Sequence, residues 1–301
     1  MSTIKISELL TRPITIQSLL PFSDLNGLAS KGTVREITGN YAVNSLSDLN
    51  FLILNSLNGV WVIISDITLD SNKTIPSDVT LQFRKAKINL GGFTLTGTNT
   101  EIDAGLSQIF DTSGLINGDW KVDSSFTEWF GALGNGIQDD TTAIQKTLNY
   151  FKKVVFLQDK TYLISSPLTP YSNQTIVAYG STIKVLNSIS FITANGSLIN
   201  FHLKGGFWSS DSVSSSTFFT ATGAVGNGNG ISKCSIDDVN ISNVETCFYL
   251  SNARNLNVSN LRADCGTGII YINKSAECTF SNSIFVCGDF EGRTICRNKG
   301  N

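Results

Sequence analysis

The feature that most constrains this chain is a repeat near its C-terminal end. Residues 234–255 (CSIDDVNISNVETCFYLSNARN) align over 256–277 (LNVSNLRADCGTGIIYINKSAE) and over the stretch that begins at Cys278, with a period of 22. Cys234, Leu256 and Cys278 fall in one column, Ile236, Val258 and Phe280 in a second, and Ile241, Ala263 and Phe285 in a third. Val239 matches Leu261, Cys265 matches Cys287, and Phe248 and Leu250 match Ile270 and Ile272. Each unit reads as two or three short strands of alternating polarity, separated by Asn, Ser and Gly turns. A single unit of this kind has no partner for its apolar face. Coiling the chain so that like residues stack about 4.8 Å apart buries those faces in one core, and parallel stacking in register makes columns share chemistry. A propeller or a sandwich imposes no such column match. The expected fold is therefore all-β, a parallel β-helix of about 22 residues per coil; about 150 residues at that period make roughly seven coils, ~34 Å of solenoid.

Three segments precede or contain the repeat. Residues 1–45 read as a lead-in or docking segment with two short apolar runs, Ile14–Leu20 and Val34–Ile37. Residues 46–120 read as a small strand-rich domain. There Val60–Ile64 is a compact apolar run, and Val79–Phe83, Ile88–Leu90 and Phe93–Leu95 alternate with period two between Gly and Asn punctuation. Residues 121–301 hold the solenoid, opened by one helix over Thr141–Phe151 that aligns Ile144, Leu148 and Phe151 on one face. Asp139 or Asp140 supplies its N-cap oxygen, or Thr142 with Gln145 forms a capping box if the helix starts later.

Composition narrows the function classes. Charged residues are 15% of the chain and the net charge is −2, without the basic stripe of a nucleic-acid binder. No stretch reaches the ~18 to 20 apolar residues of a membrane span, so no membrane insertion is expected. Glu8, Arg12 and Pro13 break the N-terminus, which does not read as a signal peptide. All six cysteines lie after residue 233 and none forms a CxxC pair, which argues for buried free thiols over a metal or redox motif; a disulfide framework is the alternative.

The segment Glu128-Trp129-Phe130-Gly131-Ala132-Leu133-Gly134-Asn135-Gly136-Ile137-Gln138-Asp139-Asp140-Thr141-Thr142-Ala143-Ile144-Gln145 resembles the opening motif of the pectate-lyase-like, right-handed parallel β-helix superfamily. Phage tailspikes and capsule depolymerases carry a run of the form (D/W)FGAxGDGxxDDTxAIQ. This chain departs from it at Asn135, where Asp is common. The segment from Thr74 to Asp111 also looks like the strands that precede the motif in such relatives, so the resemblance covers about residues 60–301. It implies a right-handed helix with a helical cap over its apolar end. It further implies a homotrimer on a phage tail, acting outside the host cell, with bacterial surface polysaccharide as partner and other virion tail proteins contacting the N-terminal segment. A structural virion adaptor, and a bacterial polysaccharide lyase or hydrolase of the same fold, stand as alternatives. The motif's own chemistry is structural: glycines for a tight path, an aspartate pair for the helix start.

No cofactor and no metal is expected, because the residues form no zinc-ligand set, no GxxxxGK[ST] and no GxGxxG. His202 is the only histidine and sits in a strand-like alternation. Paired carboxylates, which such relatives often use, are the remaining catalytic option. Glu245, Thr267 and Asp289 share a repeat column, which would set Glu245 and Asp289 two coils apart, ~9.6 Å, near the spacing of inverting glycosidases. Solvated turn acids are the competing reading. Asp264 and Arg262 are candidate substrate contacts. Trp208, opening the Ser-rich stretch 209–217, is a candidate sugar platform, unless it packs on the solenoid wall.

Overall fold

A computed structural model describes residues 36–37, 40–186, 188–211, 216–222, 230–251, 253–272, 278–287 and 296–297. The chain is mostly strand, and nearly all strand pairing is parallel; two α-helices, α1 (Leu46–Leu54) and α2 (Thr141–Tyr150), occur among the described residues. From residue 125 onward the strands form two long ladders. One runs through Ser125–Phe126, Lys153–Val155, Thr175–Val177, His202–Lys204, Cys234–Asp237, Leu256–Ser259 and Thr279–Ser281 in that order. The other runs through Asn135–Asp139, Thr161–Ile164, Thr182–Val185, Phe207–Ser210, Asn240–Ser251 and Arg262–Ile272. The chain visits the two ladders alternately, and every neighbouring pair in both is parallel.

The columns seen in the sequence are hydrogen-bonded neighbours. Ile236 lies beside Val258 and Val258 beside Phe280, while Ile241 lies beside Ala263 and Ala263 beside Phe285. Cys265 pairs with Cys287. Two details differ from expectation. Between Ile241 and Val244 the ladder register slips, so Val244 pairs with Cys265, Phe248 with Ile269 and Leu250 with Tyr271. The expected columns of Phe248 over Ile270 and Leu250 over Ile272 are thus off by one. Upstream, the spacing also lengthens: Ile176 pairs with Leu203, and Leu203 with Ile236. Part of the extra length forms further parallel strands: Ser190–Asn195 pairs with Thr217–Thr222, which pairs with Asn240–Ser251, and Leu198–Ile199 pairs with Ile231–Ser232.

The turns between strands explain the Asn content. Asp238, Asn260 and Asn282 recur one per coil, all with φ near +50°. Asn and Asp enter the left-handed region more readily than other side chains because their short polar groups bond locally. Asp237 Oδ1 accepts from Ser259 Oγ (2.6 Å) and Asn260 Nδ2 (2.9 Å), tying one coil's turn to the next.

Residues 46–120 are also built from parallel strands. Trp61 pairs with Leu81, Leu81 with Ile102, and Leu95 with Ile116. Within Val79–Phe83 the residues Val79, Leu81 and Phe83 are buried and their neighbours are not, the alternation a one-sided strand requires. One contiguous apolar cluster runs from Val43 to Cys265, so the segments on either side of residue 120 share a core. Burying each large side chain in it contributes roughly 1.5–3 kcal/mol. Helix α1 was not anticipated; Ser45 starts it by accepting from the Asp48 amide (3.2 Å), while Asp48 accepts from the Asn44 amide (2.9 Å).

Helix α2 lies between the two strand stacks and does not cap a bare end. Lys146 Nζ donates to Gly114 O (2.7 Å) on one side, and Gln145 exchanges hydrogen bonds with the Thr169 backbone on the other. Gln174, buried, donates to the carbonyls of Leu148 and Phe151 and closes the helix C-terminus. At the N-terminus the two aspartates divide the work. Asp139 Oδ1 accepts from the Thr141 amide (2.9 Å), whereas buried Asp140 accepts from Leu133 N (2.7 Å) and Gly134 N (3.0 Å) and pins the glycine loop. Gly134 is at φ +57°, and a Cβ there would meet Lys160 and Tyr162 at under 3 Å. Glu128, also buried, receives Tyr162 Oη (2.6 Å) and Lys160 Nζ (3.2 Å). The motif is a clamp made of two buried carboxylates around a loop that only glycine fits.

Candidate functional site

The residues expected to act together on the C-terminal coils are placed as follows. Arg262 and Asp264 share the exposed side of the strand Arg262–Ile272, with Asn240 and Ile284 flanking Arg262 and Val286 beside Asp264. Glu245 is half-buried in Asn240–Ser251. Because of the register slip, Thr267 stands beside Thr246, and the Glu245 carboxylate lies over Gly266, 3.1 Å from where a Cβ would be. The expected column of Glu245 and Thr267 therefore does not form; Asp289 lies outside the described residues.

Trp208 is not an exposed platform. Its side chain is 0% exposed, its indole N–H donates to Gly205 O (3.2 Å), and its ring packs against Phe156, Phe191 and Phe218. The cause is register: Trp208 pairs with Ile183 and Ile241, an inward column, and Ser209 and Ser210 beyond it are buried as well. His202 engages Ser235 Oγ (2.7 Å) and Asn200 Oδ1 (3.0 Å) through its two ring nitrogens, within a polar column that continues through Asn257 and Thr279. Cys234, Cys247 and Cys265 are buried, and burial pushes the Cys234 thiol up. Among the described residues no cluster of three or more His, Cys, Asp or Glu is arranged to hold a metal ion, and no helix is long and apolar enough to cross a membrane.

A different place gathers chemistry. A cleft of about 860 Å³ opens where the strands Thr94–Asp103 and Leu115–Lys121 meet residues 122–129 and the end of α2. A β-bulge shapes it. Gly97 pairs with Gly118, but the next pair is Thr100 with Trp120, so the first strand carries one extra residue. Bulges bend a strand and re-aim side chains. Here the bulge is internally satisfied: Thr98 N donates to Thr100 Oγ1 (2.9 Å), and Asn99, at φ +52°, donates from Nδ2 to Asp78 Oδ1 (2.7 Å). Its result is that the Trp120 indole lies flat on Gly97, where an added Cβ would sit 2.7 Å from the ring. The Trp120 N–H is bound to Asn117 O (2.7 Å), and an edge contact to Phe110 holds the ring from the side. The half-buried indole is thereby fixed in the wall of the cleft.

The cleft is also lined by four carboxylates, Glu101, Asp103, Asp119 and Asp123, and two ammonium groups, Lys121 and Lys152; Glu101 and Lys121 pair on the outward face of the two strands, whereas Trp120 pairs with buried Thr100 on the inward one. Glu101 and Asp103 alternate to the same exposed side of one strand, about 6.7 Å apart along the backbone. They are held by neighbours one coil back: Thr80 Oγ1 donates to Glu101 (3.1 Å) and Gln82 Nε2 to Asp103 (2.6 Å). Tyr150 closes the far wall, its phenol pushed up by burial, and buried Trp129, donating to Gly105 O (2.8 Å), lies deeper. A cleft lined by aromatic side chains, carboxylates and ammonium groups suits a ligand with apolar faces and hydroxyl or amino edges. The sequence reading missed this cleft, since its one local signal, Gly97 and Gly118 flanking a tryptophan, has meaning only once the two strands are paired.

No family model and no curated protein matches the chain. Three solved chains do. One, from Parabacteroides merdae ATCC 43184 and provisionally assigned as a glycosyl hydrolase, is 14% identical, with a TM-score of 0.36 over 57% of this chain and 99% of its own. At that score it carries neither fold nor chemistry over to this protein.

Proposed function

We propose that this protein is a right-handed parallel β-helix that binds bacterial surface polysaccharide as a homotrimeric component of a phage tailspike or tail fibre. The fold reading is supported by the two alternating parallel ladders, and the right hand by the strong rule for parallel crossover connections. The phage setting rests on the resemblance of residues 128–145 to the tailspike opening motif, with residues 1–45 as the segment that would meet other tail proteins. The function itself rests on the cleft at Trp120, whose lining combines aromatic side chains with carboxylates and ammonium groups. Polysaccharides need this combination, since each sugar presents an apolar C–H face and a rim of hydroxyls. Arg262, Asp264 and Glu245 mark a second polar stretch that a long chain of sugars would reach on the C-terminal coils.

The test is a panel of capsular and lipopolysaccharide glycans presented to the purified protein, read by retention and by mass spectrometry of the supernatant. The expected result is retention by at least one glycan. Discrete oligosaccharides would add cleavage, and their end group would separate hydrolase from lyase. No retention by any glycan overturns the reading and leaves a structural adaptor.

A further inference from the structure

We propose that the step from Asn117 to Gly118 is a self-modifying site: Asn117 loses its side-chain amide through a cyclic imide and passes to isoaspartate, which frees the Trp120 indole from its backbone anchor. The inference does not rest on what the cleft binds. Asparagine followed by glycine is the step most open to this reaction, because glycine has no Cβ to obstruct its own nitrogen. Four such steps lie among the described residues, at Asn58, Asn117, Asn135 and Asn195. The fold treats them differently.

Three of the four are held away from reaction. Gly59 N donates to Asp78 O (3.3 Å) and Gly196 N to Thr222 O (3.1 Å), so both nitrogens are tied to a neighbouring coil. Asn135 Oδ1 accepts from Ile137 N (2.9 Å) and Gln138 N (3.0 Å), which turns its carboxamide past Gly136 to the two amides beyond. At the fourth, Gly118 N donates to Oδ1 of Asn117 itself (2.8 Å), so the attacking nitrogen already lies against the group it must attack. Leu115 N donates to Phe93 O in the ladder. Donors alternate along a strand, so the Asn117 N–H faces the same partner strand and the Gly118 N–H faces away from it. On that far side Leu115–Lys121 pairs with no second strand among the described residues, and both Asn117 and Gly118 are exposed to solvent. Glycine is required here, since Gly118 is at φ +87° and an added Cβ would collide with Gly97 O.

The step balances with water alone. Base takes the Gly118 amide proton, the nitrogen bonds to Cγ of Asn117, the Cγ–Nδ2 bond breaks, and Nδ2 leaves with a proton as ammonia. Water then opens the imide. Breaking the bond from nitrogen to Cγ gives aspartate. Breaking the bond from nitrogen to the main-chain carbonyl carbon gives isoaspartate, with the chain routed through Cγ and lengthened by a methylene. Asn117 O is the acceptor that holds the Trp120 N–H (2.7 Å). In isoaspartate that oxygen belongs to a free carboxylate outside the main chain, so the indole loses its fixed point.

The experiment holds the full folded chain at mildly alkaline pH. Peptide mapping by mass spectrometry follows conversion of amide to acid at each step, and enzymatic methylation identifies isoaspartate. The expected result is conversion at Asn117 at least ten-fold faster than at Asn58, Asn135 or Asn195, with a ranking that vanishes in denaturant. Trp fluorescence should shift in step with isoaspartate. Asn117→Gln keeps an amide but would need a larger, slower-forming ring, so it should show neither the conversion nor the shift. Asn117 reacting no faster than the other three in the folded chain overturns the site. The same ranking in denaturant overturns the part played by the fold. Isoaspartate at 117 with no change in fluorescence beyond that of Asn117→Gln overturns the link to Trp120.

Discussion

Replacing Tyr162 by Phe isolates one atom of the clamp that joins the two strand stacks. The ring stays, and with it the edge contact to Phe156 (centroids 5.1 Å apart). What is lost is an oxygen that donates to buried Glu128 (2.6 Å) and accepts from the Leu157 amide (3.0 Å). A hydrogen bond to a charged group contributes about 1.5–3 kcal/mol, and an amide left unpaired costs about 1–3 kcal/mol. Leu157 is only half-buried, so its N–H recovers part of its loss to water, and Lys160 still reaches Glu128 at 3.2 Å. The variant should therefore lose about 2–4 kcal/mol at neutral pH, a midpoint drop on the order of 5–10 °C. A second readout is specific to the phenol. Burial first, and then the bond to Glu128, raise the Tyr162 pKa well above its ordinary value of 10.0. The folded state thus holds the proton where the unfolded chain has released it. That stability is complete below pH 10 and falls as pH rises further, by about 1.4 kcal/mol per pH unit for the one group. Tyr162→Phe should flatten this alkaline limb by that amount. Denaturant unfolding followed by circular dichroism from neutral pH upward measures both. A variant within ~0.5 kcal/mol of the parent that keeps the parent's alkaline slope would show that the phenol does not hold Glu128, and the clamp argument would fail.

Two other substitutions separate packing from capping. Trp208→Ala should cost about 3–5 kcal/mol in denaturant unfolding, since the indole is fully enclosed by Phe156, Phe191 and Phe218; Trp208→Phe should keep polysaccharide retention unchanged, and its loss in a folded variant would return Trp208 to the binding surface. Asp139→Ala should cost about 1 kcal/mol at neutral pH by removing the acceptor for the Thr141 amide. Burial acts to raise the Asp139 pKa, but hydrogen bonds from Ser165 and Thr141 outweigh it and leave it below 3.8. A depressed carboxyl stabilises above its unfolded value and stops doing so as pH falls through the folded one, so the gap between variant and parent in thermal unfolding should shrink as pH is lowered from 3.8.

The repeat was readable because three consecutive coils keep one spacing through Ile236, Val258 and Phe280, and a parallel ladder has no other way to align like residues. The same argument fails where the chain alters its spacing between strands. A single slip between Ile241 and Val244 moved Glu245 from Thr267 to Gly266, and with it the inferred acid pair. Trp208 was misplaced for a related reason: its inward neighbour Ile241 lies far beyond the 22-residue step, so its column was not visible. Helix α1 has a local signal in Ser45 with Asp48 three residues on, which reading residues 46–120 as strands did not use. The Trp120 cleft carried none that has meaning before its strands are paired. Its parts come from a bulge, from acids that alternate along Thr94–Asp103, and from the end of a helix some thirty residues away, brought together only when α2 is wedged between the stacks. Columns are enforced by every coil that stacks on them, so the sequence shows them repeatedly. A cleft made at the single break between two stacks is enforced once, and one occurrence leaves no period to read.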